Sequence, residues 1–203
     1  MSEEKLSSVK LVLGSTTKKL VRLSHVHAHV ARPNKFSKAN EFSVAALIPK
    51  GNTEDVAAVK AAIAGFIKEV WTDKKKPMPP QFWNPLRDGD KDTKQDGSPL
   101  GAECKGHYVL NCKTGESSPP DVVGTTKGGD GKLVKLGKAD IKSGDWGRIG
   151  INLKPYTLGT SGIGVYLSTL QKVQAGDPLG NSNSAEDDFS EFDDDSTEAA
   201  DFG

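Results

Sequence analysis

Apolar and polar side chains alternate along several segments of the chain, which predicts β-strands. Residues 20–31 alternate in this way and change phase near Ser24, a pattern typical of a β-bulge. Residues 41–48 are more completely apolar, and the turn residues that follow them end a strand. We expect these two strands to pair, with the basic segment 32–40 as the loop between them. Strand patterns recur at residues 106–113, 147–156 and 163–173.

One segment carries the spacing of three and four residues that an amphipathic helix requires. Asn52 or Thr53 can cap this helix, and the two acidic residues of its first turn suit the positive end of the helix dipole. We expect it to end near residues 74–77, where three lysines precede a proline. The apolar face that can pack on a sheet comprises Val56, Val59, Ile63, Phe66, Ile67 and Val70.

About five strands and one main helix, joined by long irregular segments, predict a mostly β fold. An OB-fold-like, partly open Greek-key β-barrel fits this pattern, and a β-sandwich is the alternative. The proline-rich segment 77–101 is also aromatic, so we interpret it as an ordered functional loop. The predicted organisation is an N-terminal extension at residues 1–19, an OB-fold domain at 20–175 and a disordered acidic tail at 176–203.

The charges are distributed unevenly along the chain. The formal net charge is +0, which taken alone argues against a nucleic-acid partner. However, nine acidic residues and no Lys or Arg lie between Glu186 and Gly203. The preceding residues therefore hold all 27 basic residues and 18 acidic ones, a net charge of +9. A basic domain is joined to an acidic tail.

Basic and aromatic residues are interleaved at several places in the basic domain. A protein that binds single strands of any sequence needs cations near the phosphates and rings on which bases stack, each stack contributing ~1–3 kcal/mol. Strand aromatics also pack inward in ordinary β-domains, so the core is the alternative place for each ring. The candidate DNA-binding residues are Arg32, Lys35, Phe36, Arg87, Lys105, His107, Tyr108, Lys113, Trp146, Arg148, Lys154 and Tyr156.

The acidic tail contains three phenylalanines, which a purely solvating tail does not need. We therefore hypothesise that the tail lies on the basic groove as a competitor of DNA and binds replication partners when DNA displaces it. A tail that serves only solubility is the alternative. The residues assigned to partner binding are Asp187, Asp188, Phe189, Phe192, Asp201 and Phe202.

Two clusters invite a metal hypothesis. His25, His27 and His29 share one face of a strand, but they span ~13 Å, too far for one ion, so we interpret them as a polar outer face. An acidic cluster could hold magnesium as in a nuclease, although the basic residues around it favour a charge-balanced turn. This cluster comprises Asp88, Asp90 and Asp92. We expect no catalytic residues, no metal and no cofactor.

The remaining sequence features indicate the environment of the protein. Cys104 and Cys112 are too few for a disulfide framework and match no zinc module, so we expect ordinary reduced thiols. The glycine-rich segment 159–164 begins no βαβ unit, and we interpret it as a hairpin turn. No apolar run approaches the ~20 residues that cross a bilayer, and no signal-peptide pattern is present. We expect a soluble cytoplasmic protein without a membrane partner.

The order of several short segments resembles that of a known family. The chain is similar to tailed-phage single-stranded DNA-binding proteins, which are OB-fold replication proteins with an acidic C-terminal tail. The resemblance implies an OB-fold core, coating of single strands during phage replication or recombination in the host cytoplasm, and no catalytic residues. It also implies a tail that contacts replication proteins such as a polymerase, helicase or recombinase. The matching segments are residues 31–33, 42–50, 85–90, 106–111, 119–123, 147–156, 162–164 and 185–189, with Leu167 and Val173.

Together these observations predict a non-enzymatic protein that binds single-stranded DNA independently of sequence, through phosphate contacts and base stacking. Monomer and homodimer are both open. Two alternatives have different consequences. A metal-dependent nuclease would use Asp88, Asp90 and a histidine, and a minor structural virion protein would not bind oligonucleotides at all.

Overall fold

A computed structural model describes residues 7–16, 18–34, 38–73, 82–94, 96–157 and 161–179. Helix α1 spans Thr53–Phe66 and continues as a π-helical segment, Ile67–Asp73. Short 3-10 helices lie at Ala102–Cys104 and Lys138–Asp140. The strands of the described residues are β1 Val9–Leu13, β2 Val21–Pro33, β3 Asn40–Pro49, β4 Leu86–Asp88, β5 His107–Gly115, β6 Asp121–Lys127, β7 Leu133–Lys135, β8 Trp146–Tyr156 and β9 Gly162–Gln174.

Five of these strands form a ring. Its order is β8–β2–β3–β5–β9, and β9 returns to β8 in a long antiparallel pairing. All neighbours are antiparallel except β5 and β9, which pair in parallel where Lys113 lies opposite Tyr166. Strand β2 pairs with only the first two residues of β8, and β1 pairs with β8 from Ile149 to Leu153. The result confirms the predicted mostly β, partly open OB-like barrel with one main helix.

The predicted change of phase in the first long strand is confirmed. The pairing of β2 with β3 shifts register between Ser24 and His27, as a β-bulge does. His25 adopts a positive φ of 48° at this point, and its Nδ1 lies 2.8 Å from the Oγ of the buried Ser24. The pairing shifts register a second time between His27 and Arg32, so β2 is irregular along its second half.

Helix α1 closes one end of the barrel core through the predicted apolar face. Val56, Val59 and Ile63 belong to the same buried cluster as the inward residues of the strands. Asn52 caps the helix, because its side chain accepts a hydrogen bond from the backbone N–H of Asp55. The Asp55 carboxylate accepts bonds from the Gly14 N–H at 2.7 Å and from Asn52 Nδ2 at 2.6 Å. This buried network fixes the end of β1 to the start of the helix.

The prediction of about five strands was incomplete. Strands β1, β4, β6 and β7 were not predicted, and β1 lies within the segment predicted as an N-terminal extension. β4 and β7 have three residues each, which is too short for alternation to be recognised. β6 contains Gly124 and ends in three exposed residues, so the sequence there resembles a loop. No helix of the described residues has the length and apolar character needed to span a membrane.

Candidate nucleic-acid interface

Alternate residues of β8 face away from the barrel core. Ile149, Ile151 and Leu153 are fully buried in the core, so the residues between them lie on the outer face of the strand. This outer face extends over about 33 Å, at ~3.3 Å per residue. Four of the predicted DNA-binding residues share it: Trp146, Arg148, Lys154 and Tyr156.

A groove of about 650 Å³ crosses this face where β9 meets β5 and the segment before β4. Three rings line it, and we call it the aromatic groove: Trp83, Tyr156 and Tyr166, with Lys113 and Glu41 beside them. Trp83 is 45% exposed and Tyr166 is 47% exposed, so nearly half of each residue is accessible to a ligand. Ala39, at the end of the loop that joins β2 to β3, lines the same groove, as do Tyr156 at the end of β8 and Ile163 near the start of β9.

Two glycines of β9 allow the rings to lie this close to the strand. A Cβ on Gly162 would lie 2.7 Å from the Cβ of Trp83 and 2.8 Å from the hydroxyl oxygen of Tyr156. Trp83 is joined to this strand because its N–H donates to the carbonyl of Ser161 at 3.1 Å. A Cβ on Gly164 would lie 3.0 Å from the ring of Tyr166, which therefore packs over that glycine.

Cations stand beside the rings. Lys113 donates to Glu41 at 3.0 Å, and because both side chains are partly exposed this ion pair is weak and can be exchanged for a phosphate. Arg87 lies over the ring of Trp83 at 5.7 Å and donates to Asp92 at 3.3 Å. Lys154 lies opposite Gly164 in the β8–β9 pairing, and it has no ion-pair partner within the described part of the chain.

The acidic cluster is engaged in ion pairs. Lys50 contacts Asp88 at 2.5 Å and Asp90 at 2.7 Å, while Asp92 pairs with Arg87. Hydrogen bonds from Lys50 hold the pKa of each of these first two carboxyls below its usual value, and the same bonds raise the pKa of Lys50. The cluster therefore fixes the turn after β4 and holds the side chain of Arg87, which lies over Trp83.

Tyr108 lies apart from the aromatic groove. It has the same strand phase as the buried Leu110 and Cys112, so it faces the helix side of β5 rather than the outer face. Lys60 on α1 and Lys50 lie over its ring at 4.8 and 5.3 Å, and Lys60 also donates to its hydroxyl at 3.4 Å. Two lysines therefore lie beside the ring that is predicted to stack on a base.

Other predicted residues lie at the ends of the interface. Arg22 lies over the half-buried Trp146 at 5.7 Å. Lys105 and His107 lie at the start of β5, about 20 Å along the strand from Lys113 at ~3.3 Å per residue, and the carbonyl of Lys105 lies 2.7 Å from His107 Nδ1. Arg32 is exposed and lies opposite Glu41 in the β2–β3 pairing, beside the aromatic groove.

Several predicted residues lie outside the described residues. They are Lys35 and Phe36 in the loop after β2, and the tail residues Asp187, Asp188, Phe189, Phe192, Asp201 and Phe202.

Two of the three rings of the aromatic groove were not among the residues predicted from the sequence. Trp83 lies in the proline-rich segment 77–101, which was interpreted as a functional loop. No sequence pattern within that segment distinguishes Trp83 as a binding residue. Tyr166 alternates with the buried Val165 and Leu167 on β9, and this outward phase could have identified it. Both are more exposed than Tyr156, which was predicted.

The histidine and cysteine side chains do not cluster into a metal site within the described residues. Among the described residues no group of three or more His, Cys, Asp or Glu side chains could hold a metal ion. Burial lowers the pKa of His27, and the nearby charges of Arg32 and His25 lower it further. Cys104 and Cys112 are free and buried, and burial raises the pKa of Cys112 to about 12, so its thiol is unreactive.

The partly open ring of five strands resembles the OB-fold, a barrel architecture found in proteins that bind oligonucleotides and oligosaccharides. Residues 10–201 match a family model described as "Enterobacter phage Enc34, ssDNA-binding protein". The chain belongs to this family. A search of curated proteins finds no significant match.

The solved structures that are similar to this fold include two of one phage protein. The single-stranded DNA-binding protein from bacteriophage Enc34 in complex with ssDNA has a TM-score of 0.60 and 21% identity, over 85% of this chain and 89% of that chain. A second structure of the same phage protein has a TM-score of 0.57 and 21% identity, over 89% of this chain and 88% of that chain. At this level of identity the likeness establishes the shared fold.

Proposed function

We propose that this protein binds single-stranded DNA without sequence preference, with bases on the rings of the aromatic groove and phosphates at the cations around it. The observation that carries the proposal is the placement of Trp83, Tyr156 and Tyr166 around Lys113 on the outer face of the barrel. Each base has a flat face, so stacking on such rings tolerates any sequence. Membership of a family described as ssDNA-binding supports the same function.

The cations of the outer face predict a defined salt dependence. If Lys113, Lys154 and Arg148 each neutralise one phosphate, the logarithm of the binding constant falls by about 2 for each tenfold rise in salt. The ion pair of Lys113 with Glu41 must open on binding, which costs little because both groups are partly exposed. Electrostatic attraction therefore supplies part of the affinity and none of the specificity.

We propose that the acidic tail regulates this interface. Nine acidic residues between Glu186 and Gly203 can compete with DNA phosphates for the same cations. When DNA displaces the tail, its acidic and phenylalanine residues become free to recruit a replication protein such as a polymerase, helicase or recombinase. Deletion of the tail is therefore expected to strengthen DNA binding and to abolish partner recruitment.

The experiment compares the full chain with a chain that ends at Ala185, each titrated with oligo-dT over a salt series. Tryptophan fluorescence reports binding, because Trp83 and Trp146 lie on the interface while Trp71 is buried. We expect saturable binding that weakens with salt and is tighter without the tail. Absence of binding by both chains at low salt contradicts the proposal and favours a structural role.

A parallel incubation tests the nuclease alternative. Labelled single strands are mixed with the protein and either magnesium or manganese, and their length is followed on a gel. We expect the DNA to remain intact, because Asp88 and Asp90 are ion-paired with Lys50 rather than open to a metal ion. Cleavage that is lost in the Asp88→Asn variant would contradict this assignment.

A further inference from the structure

A second groove lies further along the same two strands. It has a volume of about 490 Å³, and Arg148 to Gly150 of β8 and Thr169 to Gln171 of β9 form its floor. Its walls come from β1 and from the hairpin of β6 and β7, and we call it the hairpin groove. Its walls include two apolar and two basic residues, Val12, Leu133, Lys132 and Lys135.

The two grooves are continuous on the outer face. Strand β9 contributes Tyr166 to the aromatic groove and Thr169 to the hairpin groove. Between them runs a row of paired outer residues, in which Lys10 lies opposite Asn152 and Asn152 lies opposite Tyr166. From Gly162 to Gln171 this track is about 30 Å long at ~3.3 Å per residue, so one extended ligand can occupy both grooves.

The hairpin groove has an apolar interior and a basic rim. Val12 and Leu133 are 49% and 38% exposed and give the groove its apolar surface. Lys132, Lys135 and Arg148 outnumber the one acidic residue, Asp121, which pairs with Lys135 at 2.9 Å in an exposed position. A single DNA strand matches this pattern, because apolar base faces alternate with anionic phosphates along it.

We propose that the hairpin groove is a second nucleotide subsite, entered by the same DNA strand that occupies the aromatic groove. Val12 and Leu133 provide the apolar surface for bases, and Lys132 and Lys135 contact phosphates. This subsite rests on the proposed function and extends it, because it lengthens the strand that one protein molecule covers. A short oligonucleotide fills the aromatic groove alone, and only a longer one reaches the hairpin.

The test compares two lengths of oligo-dT, about 6 and about 20 nucleotides, which bracket most site sizes of single OB-folds. The double variant Lys132→Ala/Lys135→Ala and the single variant Leu133→Ala are titrated by fluorescence anisotropy with labelled DNA. The matched control is Lys18→Ala/Lys68→Ala, which removes two exposed charges outside both grooves. All the altered side chains are exposed, so folding is expected to be unchanged, and circular dichroism checks it.

We expect the double variant Lys132→Ala/Lys135→Ala to bind the long oligonucleotide at least 5-fold more weakly than the unaltered protein does. Its affinity for the short oligonucleotide should fall less than about 2-fold. Its salt slope on the long strand should fall by about 1.4, since two phosphate contacts are lost. The Leu133→Ala variant should have a lower affinity for the long oligonucleotide, with an unchanged salt slope. The control variant should have a slightly lower affinity, by the same factor, for both lengths.

The outcomes separate this proposal from the proposed function. If the unaltered protein binds neither length, the proposed function and the subsite both fail. If it binds both lengths, and the hairpin variants bind the long oligonucleotide with unchanged affinity, the subsite alone is overturned. Loss of self-association in those variants, measured by sedimentation with DNA binding intact, would instead assign the hairpin groove to an interface between copies of the chain.

Discussion

The substitution Gly162→Ala tests how the aromatic groove is held together. The added Cβ would lie 2.7 Å from the Cβ of Trp83, 2.8 Å from the hydroxyl oxygen of Tyr156 and 2.9 Å from the carbonyl oxygen of Trp83. These distances are shorter than van der Waals contact, and two of the three atoms belong to the segment of Trp83 that pairs with β9. The segment must therefore move away from the strand.

The magnitude follows from the bonds that this movement breaks. The N–H of Trp83 donates to Ser161 at 3.1 Å, and the N–H of Ile163 donates to the carbonyl of Trp83 at 3.4 Å. Loss of two backbone hydrogen bonds at ~1 kcal/mol each lowers the free energy of unfolding by about 2 kcal/mol. Displacement of Trp83 removes up to one stacked base, which weakens DNA binding by about 5- to 150-fold.

The assays are urea unfolding and titration with oligo-dT. Gly124→Ala is the matched control, because it also adds a methyl group to a strand glycine and meets only Leu136 at an ordinary 3.4 Å. In a double-mutant cycle, Gly162→Ala should add little to Trp83→Ala in binding, since both act through the same ring. If Gly162→Ala behaves like Gly124→Ala in both assays, the close packing of Trp83 on β9 is not what forms the groove.

Three further predictions follow from the ion pairs and buried bonds. Glu41→Gln frees Lys113 for phosphate and should tighten oligo-dT binding about 2-fold at low salt but not at high salt; unchanged affinity would mean that Lys113 does not contact DNA. Asp55→Ala leaves the Gly14 N–H and the capping asparagine without their acceptor, and should lower the free energy of unfolding in urea by about 2–4 kcal/mol. Asp90→Asn should lower the urea midpoint at neutral pH. Because the pKa of this carboxyl is lowered in the folded state, its stabilisation is present above pH ~4 and is lost at lower pH, so variant and unaltered protein should converge in acid.

Strand β8 shows how much of the site could be predicted from sequence. Ile149, Ile151 and Leu153 alternate strictly with non-core residues, so the pattern gives both the strand and the residues on its outer face. The same period of two applies to Tyr108, whose role in base stacking stays a prediction. Its neighbours two and four positions along β5 are apolar, which places its ring on the helix side rather than on the outer face.

The aromatic groove itself could not be predicted, because it depends on contacts between distant parts of the chain. Trp83 meets Gly162 only once the loop before β4 reaches the start of β9. No local sequence pattern around either residue indicates that the two are in contact. The hairpin of β6 and β7 is similar, since three consecutive exposed residues in β7 carry no strand pattern, and only its pairing with β6 defines it.

The most direct test of the account is the affinity of Tyr166 variants for oligo-dT. Tyr166 is 47% exposed and packs over Gly164, so its removal should alter binding without disturbing the core. We predict that Tyr166→Ala weakens binding about 5- to 150-fold, the contribution of one stacked base, while Tyr166→Phe retains the ring and loses less than about 2-fold. Equal affinities for the unaltered protein and Tyr166→Ala would contradict the proposal that bases stack in the aromatic groove.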